Sequence, residues 1–86
     1  MKLTIITSTF NAVNDISFTI KSLISQTDQK FEWIVVDGSS IDGTKEILTK
    51  CGSLVSTLLS EPDSGIYDAW NKGVQLSTGE WILFLG

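Results

Sequence analysis

In Ile34-Val35-Val36-Asp37-Gly38-Ser39-Ser40-Ile41-Asp42-Gly43-Thr44 an apolar, β-branched run passes straight into a turn opened by a carboxylate, Asp37. A second apolar run, Leu3-Thr4-Ile5-Ile6-Thr7-Ser8, ends in the same manner at Thr9-Phe10-Asn11. Open parallel α/β sheets bind ligands outside the carboxyl ends of their strands, so these two polar tips are expected to face one ligand across a crevice. The chemistry on offer is hydrogen bonding and orientation, with Asp37 at the rim. Each residue alone has a plainer use: Asp37 as the cap of its own turn, Asn11 as a turn residue before a helix, Asp42 as a helix cap with Ser40 as its rival. Lys72 is by default a solvated helix lysine with a phosphate as its alternative partner. The three tryptophans, Trp33, Trp70 and Trp81, fall in or beside strands or on a helix stripe and suit core or packing contacts better than sugar platforms.

Periodicity gives the strands and helices that carry these tips. Residues 3–8 and Ile34-Val35-Val36 are apolar on both alternate faces, as central parallel strands covered on both sides are. Between them Ile16, Ile20, Leu23 and Ile24 form one helical stripe, with Asn14 or Asp15 expected as N-cap. A short helix after Asp42 presents Ile47, Leu48 and Cys51 inward and ends at Gly52. A third strand is expected from about Leu54 to Leu59. Glu61-Pro62-Asp63-Ser64-Gly65 is a turn by composition, opening a helix that carries Ile66, Ala69, Trp70, Val74 and Leu76 and closes at Thr78-Gly79. Trp81-Ile82-Leu83-Phe84-Leu85 is a fourth strand. The right-handed crossover rule folds β-α-β-α-β-α-β into a three-layer α/β/α Rossmann-like parallel sheet, with expected strand order 3-2-1-4. The fourth strand then lies at an open, apolar edge, and self-association of the chain is expected there.

Composition sets the outer bounds. The 86 residues, 42% of them hydrophobic, suffice for one small domain. Six Lys+Arg against ten Asp+Glu, a net charge of −4, offer no basic stripe for nucleic acid. Cys51 is the single cysteine, so no disulfide forms within the chain, and a structural thiol in a reducing, cytoplasmic setting is expected. The first apolar stretch, broken by Thr4 and Thr7, is too short for a signal peptide or a membrane span.

Four motifs stand in order along the chain. They are Ser8-Thr9-Phe10-Asn11 at a strand end, Ser22-Leu23-Ile24-Ser25-Gln26-Thr27 at a helix end, the turn from Val35 to Thr44, and Glu61-Pro62-Asp63-Ser64-Gly65-Ile66-Tyr67-Asp68-Ala69-Trp70-Asn71-Lys72-Gly73. In this order and spacing they resemble the N-terminal, nucleotide-binding half of a family 2 glycosyltransferase of the GT-A fold, over essentially all of residues 1–86. The resemblance implies that Thr9 and Asn11 line a nucleotide pocket and that Asp37 accepts the imide N–H of the base. Uracil and thymine offer that donor and cytosine does not, so a UDP- or dTDP-sugar is the implied donor. Gly38 and Ser39 give close backbone approach, Asp63 and Gly65 border the ribose and diphosphate, and Asn71 and Lys72 face the phosphates. Where many family members have Arg and a second Asp, this chain has Trp70 and Gly38, so an arginine contact to the nucleotide is not implied.

The family's Asp-x-Asp metal motif follows the strand that corresponds to Trp81–Leu85. Mg²⁺ or Mn²⁺ is therefore implied for the full-length enzyme, with no metal ligand and no catalytic residue among those present, and the chain is expected to be inactive by itself. The implied acceptor is a glycan or a lipid-linked molecule of cell-envelope polysaccharide assembly, met in the cytoplasm or at the cytoplasmic face of the membrane. A free-standing, non-catalytic nucleotide-binding or regulatory module is the alternative. A phosphoacceptor receiver domain ranks lower because the first strand ends in Ser8-Thr9-Phe10-Asn11 and not in an acidic cluster, and a dehydrogenase lower still because no G-x-G-x-x-G opens the first helix.

Overall fold

The computed structural model describes residues 2–25, 30–62 and 64–85. Gln26 and Thr27 of the second motif, and Asp63, lie outside the described residues. The order is β1 (Leu3–Thr9), α1 (Val13–Ile24), β2 (Phe31–Asp37), α2 (Thr44–Lys50), a 3-10 turn (Gly52–Leu54), β3 (Thr57–Ser60), α3 (Ile66–Leu76) and β4 (Trp81–Phe84). The strands form one parallel sheet in the expected order β3-β2-β1-β4.

Alternation along β1 and β2 builds a core on each side of the sheet. Ile5, Trp33 and Val35 face Ile16 and Leu23 of α1 and Leu48 of α2. Ile6, Ile34 and Val36 face Ala69 and Trp70 of α3. Each large apolar side chain so buried stabilises the fold by roughly 1.5–3 kcal/mol. Three polar groups inside this frame are paired, as burial demands. Trp33 Nε1 donates to Thr7 Oγ1 at 3.0 Å, while Thr4 Oγ1 donates to Glu32 Oε1 and accepts from Gly79 N, both at 2.9 Å. Glu32 also accepts from Thr78 N at 2.8 Å, which fixes the α3–β4 connection at the sheet's amino end.

Four local expectations are corrected. Helix α1 begins at Val13 with Ala12, not Asn14 or Asp15, at the cap position, because the side chains of Asp42 in the β2–α2 loop and Thr44 at the start of α2 take up the amides of Val13 and Ala12. β3 starts at Thr57 and not near Leu54, since a left-handed Gly52 leads into the 3-10 turn and pairing with β2 opens only after Ser56 N reaches Trp33 O at 2.8 Å. Ile24, at 57% exposure, leaves the inner stripe of α1. Cys51 is half-buried, its Sγ donating to Ile47 O, and burial pushes the thiol's pKa up.

Candidate functional site

The register that pairs β1 with β2 sets Thr9 directly beside Asp37, so the two strand tips meet. Asp37 is fully buried, and four donors converge on its carboxylate. Oδ1 accepts Thr9 Oγ1 at 2.7 Å and Ser40 Oγ at 2.5 Å; Oδ2 accepts Ser40 N at 2.8 Å and Ser60 Oγ at 2.9 Å. Burial pushes this carboxyl's pKa up, but the bonds from Ser40, Thr9 and Ser60 outweigh it and hold the group below the usual carboxylate range. The charge is thus kept ionised at neutral pH. The backbone closes the same knot: Gly38 N donates to Thr9 O and Glu61 N to Asp37 O, both at 2.9 Å.

Two residues in the loops above are held in the left-handed region without being glycine, Asn11 at φ 47° and Ser39 at φ 64°. Asn11 Oδ1 accepts Ile41 N at 2.9 Å and its own amide donates to Ser40 Oγ at 2.8 Å, so the β1–α1 and β2–α2 loops are tied to each other. Between these tips and the start of α3 lies a cleft of about 350 Å³, lined by Ser8, Thr9, Phe10, Gly38, Gly65, Ile66 and Ala69. The amino end of α3 forms one wall, and the positive end of a helix dipole favours an anionic group.

Of the residues expected at the site, Thr9, Gly38 and Gly65 line this cleft, Asp37 lies beneath it, and Asn11 and Ser39 stand exposed in the loops that frame it. Asn71 is exposed on α3. Lys72 is turned toward its own neighbours: Nζ lies 3.1 Å from Glu61, 3.4 Å from Asp68 and 3.1 Å from Pro62 O, and the bond to Glu61 above all raises its pKa. Sequence reasoning missed Ser40 and Ser60 as partners of Asp37, and Phe10 and Ala69 as walls. Ser60 had a signal, since it ends β3 opposite Asp37 as Thr9 ends β1. Among the described residues no group of three or more His, Cys, Asp or Glu converges to hold a metal ion.

A family model described as glycosyl transferase family 2 matches residues 4–86. The chain belongs to glycosyl transferase family 2. It is 39% identical over 85 residues to a PGL/p-HBAD biosynthesis glycosyltransferase of Mycobacterium bovis, a match covering 95% of this chain and 33% of that protein. It is 33% identical over 84 residues to the putative teichuronic acid biosynthesis glycosyltransferase TuaG of Bacillus subtilis, covering 94% of this chain and 33% of that one. The chain therefore spans about a third of the length of the curated relatives it matches. Among solved structures, S. aureus TarS 1–349 in complex with UDP-GlcNAc superposes with a TM-score of 0.89 at 28% identity, covering 99% of this chain and 26% of that one. The mannosyltransferase PcManGT from Pyrobaculum calidifontis, in complex with GDP-Man and Mn²⁺, gives 0.80 at 26% identity, covering 93% and 25%. The sheet order and layering of this family 2 chain are those of its GT-A neighbours.

Proposed function

We propose that this family 2 chain binds the nucleotide of a UDP- or dTDP-sugar and forms the donor half of a glycosyltransferase that passes the sugar to a glycan or lipid-linked acceptor in cell-envelope polysaccharide assembly. The support is the cleft of about 350 Å³ at the carboxyl ends of β1 and β2, with an ionised Asp37 under one side and the start of α3 as the other. The nucleotide complexes of TarS and PcManGT and the biosynthetic names of the relatives point the same way. Thr9, Asn11, Gly38 and Ser39 cradle the base and ribose, with Gly65 and Asn71 toward the diphosphate. The base's N–H reaches Asp37 by taking the place of the Ser40 or Ser60 hydroxyl on its carboxylate. Lys72 serves the phosphates only after leaving Glu61 and Asp68. Mg²⁺ or Mn²⁺, acceptor site and proton-accepting base belong to the rest of the enzyme, and the described residues position the donor without breaking its bond. Among them no helix is long and apolar enough to cross a membrane, and a cytoplasmic site of action, reaching the membrane peripherally, completes the proposal.

Calorimetric titration of the chain with UDP, with and without Mn²⁺, tests this. UDP binding that needs no metal, exceeds CDP binding and is lost in Asp37→Asn is expected. Equal binding of UDP and CDP, or none by the folded chain, contradicts it.

A further inference from the structure

The two left-handed residues of the site, Asn11 and Ser39, adopt a conformation that L side chains avoid, and such conformations persist only where the surroundings over-determine them. Direct ties from Ser40 and Ile41 hold Asn11. The ties that hold the loops themselves sit one layer further out. Asp42 Oδ2 accepts Val13 N at 3.1 Å, while its Oδ1 accepts Thr44 N at 3.1 Å and Thr44 Oγ1 at 2.5 Å. Thr44 Oγ1 in turn accepts Ala12 N at 2.9 Å. One carboxylate thus caps the starts of α1 and α2 together, although the two helices follow different strands, and neither cap position has a side-chain cap of its own. The hydrogen bond from Thr44 holds the Asp42 carboxyl below its usual range, so the clamp is charged at neutral pH.

Asp42 is exposed and is not among the residues that line the cleft. We propose that Asp42, acting through Thr44, is a positioning residue of the nucleotide cleft: it locks the β1–α1 loop against the β2–α2 loop and so keeps Asn11 and Ser39 in their binding conformation. This rests on the nucleotide reading of the cleft. Without the clamp the loops sample other conformations, and a fall of the competent state to about a tenth of the population weakens apparent affinity about tenfold.

The test compares UDP titrations of the whole chain with Asp42→Ala, Asp42→Asn, Thr44→Val and, as a control for stability alone, Val55→Ala at the opposite end of the sheet. Three-bond amide couplings at Asn11 and Ser39, which report φ, are recorded on each. Expected are an affinity about tenfold weaker for Asp42→Ala, an intermediate loss for Asp42→Asn with its single acceptor oxygen, and couplings at both loop residues that average toward ordinary values. Val55→Ala should change neither. UDP affinity unchanged in Asp42→Ala, or lowered no more than in Val55→Ala, overturns the proposal. Should the wild-type chain bind no UDP, the nucleotide reading fails, and the couplings alone decide the positioning role: unchanged left-handed Asn11 and Ser39 in Asp42→Ala refute it. Should Asp42→Ala not fold, Thr44→Val, which keeps the buried volume and removes the hydroxyl, decides by the same criteria.

Discussion

Asp37 is at once the hub of the strand tips and the residue toward which a base would be directed, and the two roles have separable consequences. Removing its carboxylate in Asp37→Ala strands Ser40 N and three hydroxyls in or near the core. Unsatisfied buried donors of this kind cost stability, and a loss of about 2–4 kcal/mol is expected, measured by urea denaturation. Because its folded pKa is depressed, the ionised form contributes its full stabilisation above the unfolded value, near pH 4, and that contribution is lost as pH falls through the folded value. Glu32, lowered by its Thr78 and Thr4 bonds against the opposing effect of burial, acts with the same sign. The expected result is a melting temperature that drops below about pH 4, more shallowly in Asp37→Asn; an equal acid limb in the variant would show that Asp37 carries none of it. The position of Asp37 is legible in the sequence because an apolar run stops there. Of its partners, Thr9 and Ser60 carry a signal as polar ends of the neighbouring strands, whereas Ser40 does not, since it arrives through a turn whose left-handed residue, Ser39, has no glycine to announce it.

Element types and order were readable because each βα unit keeps its own period, two in the strands and 3.6 in the helices. What local sequence hid was the capping of α1: Ala12 looks like no cap, and the donors Ala12 N and Val13 N are met by residues about 30 positions away. The exposure of Ile66, Val74 and Leu76 on α3 was also hidden, since a stripe shows what can be buried and not whether anything covers it. α3 packs tightly on the sheet at buried Gly73, where an added Cβ would lie 2.5 Å from Ile6 Cγ2. Gly73→Ala is therefore expected to lose about 1–3 kcal/mol by overpacking and to displace α3, the helix whose start walls the cleft, checked by thermal unfolding and by a parallel loss of UDP affinity. A variant as stable as wild type would mean that α3 shifts without strain.

At the scale of the whole chain, β4 stands apart: Trp81, Ile82, Leu83 and Phe84 are 58%, 39%, 48% and 43% exposed, and the strand carries no charge. Trp81 N donates to Lys2 O just before β1 and Leu85 N to Ile6 O within it, so the amides of Ile82 and Phe84 point to the open edge. Phe84 also stacks on Trp70, 4.7 Å between ring centroids, and Trp70 Nε1 is buried without a partner among the described residues. An uncharged, apolar edge of this kind pairs with another strand, and concentration-dependent self-association is expected in sedimentation velocity, reduced by Ile82→Lys; a monomer at every concentration would count against it. A second cavity, of about 420 Å³, lies among Ile24, Phe31, Cys51, Ser53 and Leu54 at the other end of the sheet from the proposed nucleotide cleft. Mapping amide shifts during titration of the nitrogen-15-labelled chain with UDP separates the two most directly. Saturable shifts at Ser8 to Asn11, Gly38, Ser39, Gly65 and Ile66 are the expected result, and shifts confined to Ile24, Phe31 and Cys51 to Leu54 would contradict binding at the carboxyl ends of the strands.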